Sequence, residues 1–494
     1  MSATAGRPDL PSWTTILSSM RKFALLPDWL VGAVQGERVR SVLTSCIPEF
    51  ASGALILQDC RAKHLLLSDD GSGWTGIYNL TIAEPGTGQS RVVRLLGMLI
   101  PPDQGAPDAI AVAVTFGSNG WRTYVPELRL LLQMPLADSQ LEILPQLTNL
   151  EQARALLELS IRTHALAYHT LRIESCRPQV LRYHPGLRCT IGYHLTYASD
   201  GTAGHHWPTF VVVKTYDGDK GRNAYGCMQA LWDSPLGTSA AVRIAEPLAY
   251  VPELKLLVQG SIPTEQTLQA LIGSALRADT PEALADLDDY MRKAAAGLAE
   301  LHSAGVGIGK VHYWEDELAG ARAFVQRLTA AVPGLARAAT PLFTCLESLG
   351  TACPPDPLVP THGTFRPSQV LLDHGQIGFI DFDSFCQAEP AMDLALFRAA
   401  TIDMGMSAFD KEEAIATEPA MHDGHIDRLI HLEAIADRFL AHYTALRPVS
   451  RRRVAVWEAL NILELVVRSW DRVKPVRLNH TILMLERHLC TQLT

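Results

Sequence analysis

Ten consecutive residues occur twice in this chain, as Tyr124-Val-Pro-Glu-Leu-Arg-Leu-Leu-Leu-Gln133 and as Tyr250-Val-Pro-Glu-Leu-Lys-Leu-Leu-Val-Gln259. Eight of the ten positions are identical, and the other two exchange Arg for Lys and Leu for Val. Upstream of each copy stands a matching hairpin segment, Ile77-Tyr-Asn-Leu-Thr81 or Gly192-Tyr-His-Leu-Thr196. An apolar run with one cation comes next, Val92-Val93-Arg94 or Val212-Val213-Lys214, which sets Arg94 where Lys214 stands in the second copy. Three elements in one order predict a small β domain that has been duplicated rather than two unrelated meanders.

The periodicity along the chain agrees with two β-rich stretches followed by a helical one. Short β-type runs cover Ala54–Gln58, Trp74–Ala83, Arg91–Ile100 and Ile110–Phe116, then Val180–Tyr183, Thr190–Tyr197, Phe210–Tyr216 and Leu254–Gln259. Turn-forming clusters such as Asp69-Asp70-Gly71-Ser72-Gly73 separate them, so they are expected to be hairpins. Asn149–Cys176 has apolar residues at helical spacing and no Gly or Pro, and predicts a helix joining the two regions. From residue 264 onward three- and four-residue apolar steps predict helices, interrupted once by β-type runs within Val359–Phe382. The expected division is a lead-in over 1–48, a β domain over 49–148, a connecting helix over 149–177, a small lobe over 178–263 and a helical lobe over 264–494.

Composition removes several function classes. Lys plus Arg number 43 against 52 Asp plus Glu, a net charge of −9, so no nucleic-acid-coating surface is expected. The nine cysteines show no CxxC spacing, which suggests neither a zinc ribbon nor a disulfide framework and points to buried thiols in a reducing compartment. The first residues lack the basic start and apolar run of a signal peptide, and no stretch is long and apolar enough for a membrane span. A cytoplasmic location is expected.

Chemistry concentrates in Thr361-His-Gly-Thr-Phe-Arg-Pro-Ser-Gln369, in Ile377-Gly-Phe-Ile-Asp-Phe-Asp383 and in Glu389-Pro-Ala-Met-Asp-Leu-Ala395. This set resembles the aminoglycoside phosphotransferase and choline kinase superfamily, small-molecule kinases of protein-kinase-like fold. Their catalytic loop reads His-Gly-Asp-x-x-Pro-x-Asn and is followed by a hairpin, a metal-binding Ile-Asp-[Phe/Tyr/Trp]-[Asp/Glu] and an Asp-Pro-x-x-Asp-Leu-Ala helix start. His362, Gly363, Pro367, Ile380, Asp381, Phe382, Asp383, Pro390, Asp393, Leu394 and Ala395 match in order and spacing. Leu298-Ala-Glu-Leu-His302 is similar to the family's Leu-Ala-x-Leu-His helix, and 361–395 is the most specific part of the likeness.

The resemblance implies an α+β, protein-kinase-like bilobal fold, here preceded by a β domain that repeats the small lobe. It further implies ATP and Mg²⁺ as cofactors and transfer of a phosphoryl group to a hydroxyl of a small molecule. Lys214 is then the strand lysine on the nucleotide phosphates, Gly186 the glycine of the loop over them, and Gln259 with Gly260 the inter-lobe hinge. Asp381, Gln369 and Asp383 are the expected metal residues, with His362, Thr364 and Arg366 in the catalytic loop. Elementary geometry supports the metal assignment, because a tight loop and a returning strand bring hard oxygens to one end of a hairpin. Strand alternation would set Asp381 and Asp383 on one face and Phe382 on the other.

Three departures open an alternative. Thr364 stands where the family has its catalytic aspartate, and a hydroxyl cannot accept a substrate proton at neutral pH. Gln369 replaces an Asn. The helix expected after Lys214, Gly221–Trp232, contains no Glu to pair with that lysine. The alternative is a pseudokinase that binds nucleotide without catalysis, or that engages a protein partner through residues 49–148.

Overall fold

The structure, a computed structural model, describes residues 12–86, 88–105, 115–118, 120–134, 141–184, 186–197, 206–408 and 423–493. The chain forms two compact units, one of residues 1–137, 315–352 and 459–494 and the other of residues 138–314 and 353–458.

The first unit is built on a five-stranded sheet of β1 (Ile56–Leu67), β2 (Trp74–Ala83), β3 (Ser90–Leu99), β4 (Arg122–Val125) and β5 (Leu130–Gln133), in the order β1-β2-β3-β5-β4. Helices α1 (Trp13–Arg21) and α2 (Gly36–Cys46) precede it, and Ser12 caps α1 by accepting from the Thr15 N–H. Helix Leu335–Ala352, most of Trp314–Leu328, the end of Arg451–Asp471 and Pro475–Thr491 complete the unit. The sequence placed all four in the helical lobe. Within the unit, helix α1 packs against Leu335–Ala352 and Pro475–Thr491. Two tryptophans fasten the layers: the Trp74 indole N–H donates to the Trp470 carbonyl at 3.1 Å, and the Trp470 indole N–H to the Phe23 carbonyl at 2.9 Å.

The second unit repeats the sheet. Strands β6 (Ile173–His184), β7 (Arg188–Tyr197), β8 (Phe210–Tyr216), β9 (Pro247–Val251) and β10 (Leu256–Gly260) follow the order β6-β7-β8-β10-β9. Both first strands carry a bulge at the same place, between Leu57 and Asp59 in one and between Ile173 and Ser175 in the other. Both Pro-Glu-Leu turns end in a residue of positive φ, Arg129 at 49° and Lys255 at 48°. Tyr78 and Tyr193, which occupy equivalent positions, each donate a hydroxyl hydrogen bond to the segment before a helix, to Ala33 at 3.0 Å and to Leu147 at 2.6 Å.

The helix after Leu147 is α3 (Leu150–His164), capped by Asn149, which accepts from the Gln152 N–H at 3.1 Å. It packs on β6 and β9 as α2 packs on β1, so it belongs to the repeat rather than serving as a connector. It stops short of the expected Cys176 because β6 already begins at Ile173. The expected strand Ala54–Gln58 is the start of the longer β1, whereas Ile110–Phe116 falls mostly outside the described residues.

Pairing corrects one equivalence drawn from sequence. Lys214 lies between Thr190 and Leu257 on its neighbouring strands, and the residue between Thr75 and Leu131, the counterparts of those two, is Met98. Arg94 instead pairs with Asn79 and matches Phe210, which pairs with His194. The two alignments differ by four residues, an even number that keeps every side chain on its own face, so alternation could not tell them apart.

The helical part of the second unit contains helix Leu268–Ala278, α5 (Pro281–His302), α6 (Pro390–Ser407) and helix Asp423–Leu446. Thr280 caps α5 and Pro281 opens it, its missing N–H costing nothing in the first turn. Phe397 of α6 stacks on Phe439 with ring centroids 4.0 Å apart. Between these helices β11 (Val359–Thr361) pairs with β14 (Cys386–Ala388), and β12 (Val370–Asp373) forms a hairpin with β13 (Gln376–Phe379). A five-stranded small lobe followed by a helical lobe with an inserted hairpin is the protein-kinase-like bilobal fold expected from the sequence, and the first unit supplies the additional β domain.

Candidate functional site

The loop carrying His362 and Gly363 leaves β11 at Thr361 and turns sharply at Gly363, where φ is 79° and a Cβ would lie 2.0 Å from the Ser384 carbonyl oxygen. Only glycine fits that approach. The loop is tied to α6: Asp393, in its first turn and fully buried, accepts the His362 N–H at 2.6 Å and the Gly363 N–H at 2.9 Å. The His302 Nε2–H donates to the same carboxylate at 3.2 Å, and the Tyr443 hydroxyl donates to His302 Nδ1 at 2.7 Å. Burial is the main reason that both His302 and His362 hold their protons less tightly than a free imidazole. The His362 ring therefore stays neutral, with Nε2–H on the Ile380 carbonyl at 3.0 Å, and organises the backbone from inside.

Strand β13 ends at Phe379, and Asp381 adopts φ 76° before a short 3₁₀ turn over Phe382–Ser384. Strand alternation is therefore not what aligns the two carboxylates, as the sequence pattern had suggested. The left-handed Asp381 reverses the backbone, and both acids still reach one cation. Lys214 Nζ donates to Asp381 Oδ1 at 2.7 Å and to Asp383 Oδ1 at 3.0 Å. Burial alone would weaken the lysine's hold on its proton, but Asp383 and Asp381 more than reverse this and its pKa is raised. Burial likewise opposes ionisation of Asp381, yet Lys214 holds its carboxyl well below the usual range.

Asp381 also faces the loop after β11. Gln369 is buried, and its Nε2 donates to Thr364 Oγ1 at 3.3 Å and to Asp381 Oδ2 at 3.5 Å. Gln369 Oε1 and Asp383 Oδ2 are buried without a hydrogen-bond donor among the described residues. Arg366 Nε–H donates to the Thr364 carbonyl at 3.3 Å. Lys214, Thr364, Gln369, Asp381 and Asp383 thus form one connected set, and His362 and Arg366 support its loop.

The remaining expected residues lie elsewhere on the small lobe. Gly186 sits at φ 71° in the turn between β6 and β7. Gln259 and Gly260 end β10, where they pair with Val212 and Val211 of β8. Two further participants escaped the sequence reading. The Tyr216 hydroxyl donates to Asp383 Oδ1 at 3.0 Å, and Arg188 lies 3.7 Å from Asp383 Oδ2. Tyr216 follows Lys214 by two residues, hence on the same strand face, and Arg188 is its pairing partner on β7; alternation offered that signal. The helix after Lys214, α4 (Lys220–Trp232), carries no acid in its span.

These donors fit a divalent cation and phosphates. Asp381 and the buried Gln369 amide oxygen are hard ligands, with Lys214 and Asp383 beside them. Among the described residues no group of three His, Cys, Asp or Glu side chains is arranged to hold a metal by itself. Mg²⁺ in phosphoryl-transfer sites takes one or two carboxylates and completes its shell with phosphates and water, so such a group is not required.

Lys214, the loop carrying His362 and Gly363, and the acid pair Asp381 and Asp383 thus lie together. Residues 239–423 match the phosphotransferase enzyme family (APH), which bears out the resemblance seen in the sequence. No curated protein matches the chain. Among solved structures, a glucosamine kinase in complex with glucosamine, ADP and inorganic phosphate is 14% identical, covering 91% of this chain and 99% of its own, with a TM-score of 0.46. A spectinomycin phosphotransferase is 13% identical over 69% of this chain and 99% of its own, TM-score 0.40. An aminoglycoside phosphotransferase from Streptomyces rimosus is 17% identical over 58% and 92%, TM-score 0.35.

Proposed function

We propose that the chain is an ATP- and Mg²⁺-dependent phosphotransferase acting on a hydroxyl of a small molecule. The observation that carries this is the convergence of Lys214 and Asp381 at 2.7 Å from the two lobes, beside a loop anchored by Asp393. Mg²⁺, when bound, supplies charge neutralisation on the phosphates. Asp381 would hold it, together with Gln369 once that amide turns its oxygen toward the site. Lys214 would bind the phosphates, and Arg366 would stand near phosphate or acceptor. None of the nine cysteines is in a disulfide and seven are buried, which supports a reducing location such as the cytoplasm.

Thr364 sets the limits of catalysis. A positioned base contributes about 10²- to 10⁴-fold, whereas phosphoryl transfer rests mainly on alignment and charge. Thr364 Oγ1 already accepts from Gln369, so its own hydrogen is free to donate toward the acceptor. A working enzyme of this kind is adapted to a hydroxyl. Thr364→Asp would then add a third carboxylate beside Asp381 and Asp383, and activity should fall roughly 10-fold or more.

The test is an ATP-consumption assay of wild type, Asp381→Asn and Thr364→Asp against sugars, aminoglycosides and amino alcohols. Wild type should exceed Asp381→Asn by about 10²-fold on at least one acceptor. Equal rates on every acceptor overturn the proposal, and activity in Thr364→Asp alone would establish a pseudokinase.

A further inference from the structure

We propose that Asp383 is a positioning residue that replaces the missing helix acid as the partner of Lys214, and is not a metal ligand; this rests on the phosphotransferase reading above. A strand lysine needs a carboxylate to keep its long side chain extended toward the phosphates, because four rotatable bonds otherwise scatter the ammonium. Helix α4 packs against the same sheet but has no Asp or Glu within Lys220–Trp232. The carboxylates that reach Lys214 come instead from the loop after β13.

The two acids differ in what surrounds them. Asp383 is enclosed by the small-lobe sheet: Lys214 and Tyr216 of β8 both donate to Oδ1 at 3.0 Å, and Arg188 of β7 lies 3.7 Å from Oδ2. Its side chain is 9% exposed, against 24% for Asp381. Asp381 divides its oxygens between Lys214 and the Gln369 amide, so it faces both the lysine and the loop. When Asp381 takes up a cation it gives up Lys214, and Asp383 then keeps the lysine aimed. Tyr216 holds Asp383 for that purpose.

The two possible roles of Asp383 give opposite signs in a metal-free titration. A metal ligand that lacks its metal only repels phosphate, so removing its charge should strengthen nucleotide binding in EDTA. A positioning acid aims the lysine, so removing it should weaken binding whether or not metal is present. Isothermal titration of ADP is therefore run in EDTA and in Mg²⁺ on wild type, Asp383→Asn, Asp383→Glu, Asp381→Asn and Tyr216→Phe. Asp383→Asn should lose about 3- to 10-fold affinity in EDTA, where Asp381 still holds the lysine, and roughly 10- to 100-fold in Mg²⁺, where Asp383 alone aims it. Asp383→Glu should restore part of the loss. Asp381→Asn should shift the Mg²⁺ dependence. If Asp383→Asn does not fold, Tyr216→Phe reads the same effect at about 3- to 10-fold. Unchanged or tighter metal-free binding in the Asp383 variant, or in Tyr216→Phe where that variant stands in for it, overturns the inference alone. A wild type that binds no nucleotide under either condition overturns the phosphotransferase reading and this inference with it.

Discussion

His302 and His362 give the second unit a pH response that runs opposite to the one an exposed ion-paired histidine would give. Both are fully buried, and burial above all lowers their pKa below the ordinary 6.5. As pH falls through 6.5 the unfolded chain gains protons that the folded chain refuses, so stability falls with decreasing pH. Each histidine contributes at most about 1.4 kcal/mol per pH unit in that window. Asp381 has the same sign lower down: its depressed pKa stabilises the fold above the unfolded carboxyl value near 4, and that stability is lost as pH falls further. Between pH 7.5 and 5.5 the histidine effect therefore stands alone of the two. Urea denaturation of the second unit should show stability declining over that range. In His302→Gln the slope should be shallower by about one proton, even though the variant starts from lower stability because Asp393 and Tyr443 lose their shared partner. An unchanged slope would show that His302 does not resist protonation.

At the level of the elements, the loop of His362 and Gly363 depends on a contact that no side chain makes. Gly363 at φ 79° passes so close to Ser384 that an added Cβ meets the carbonyl oxygen at 2.0 Å. Gly363→Ala must move the loop or the turn after Asp381, and either shift disturbs the Asp393 hydrogen bonds. The expected loss is roughly 3 kcal/mol or more, read as a fall in thermal midpoint, together with weaker nucleotide binding. The loop itself was legible in the sequence, because His362, Gly363, Asp381 and Asp393 carry residue types that their geometry demands. Lys214 was legible for the same reason, as a lone cation closing the apolar run Phe210–Val213. What stayed hidden depended on long-range pairing. The counterpart of Lys214 in the first sheet is Met98 and not Arg94, and only the partners on both flanking strands reveal it. The left-handed Asp381 was hidden too, since an aspartate after Ile380 looks like a strand continuing. Its backbone strain, about 1 to 2 kcal/mol, is sustained by the Lys214 and Gln369 contacts that the sequence does not display.

At the scale of the whole chain, the first unit is assembled from three separated stretches, and that makes its integrity testable. Cutting before residue 138 would remove the duplicated β domain and leave residues 138–494, which a linear division would expect to fold as a complete kinase-like body. The structure predicts otherwise. Segments 315–352 and 459–494 bury Leu328, Leu335, Leu342, Leu463 and Val466 completely, and they belong to the unit built on β1 to β5. Their fastenings to the first 137 residues are specific: Trp74 on Trp470, Trp470 on Phe23, a bidentate Arg21–Glu486 pair, and Gly71 seated against Arg327 and Ala330. Each large apolar side chain returned to water costs about 1.5 to 3 kcal/mol, so losing five such burials costs about as much as the 5 to 15 kcal/mol by which a domain is stable. The fragment 138–494 should therefore be recovered aggregated or, if soluble, should bind 8-anilinonaphthalene-1-sulfonate and melt without a cooperative transition. Adding residues 1–137 as a separate chain during refolding should restore cooperativity, because they supply the missing sheet. A monomeric 138–494 fragment with the thermal midpoint of the full chain would show that these helices need no partner, and that the repeated β domain is an appendage rather than half of a composite unit.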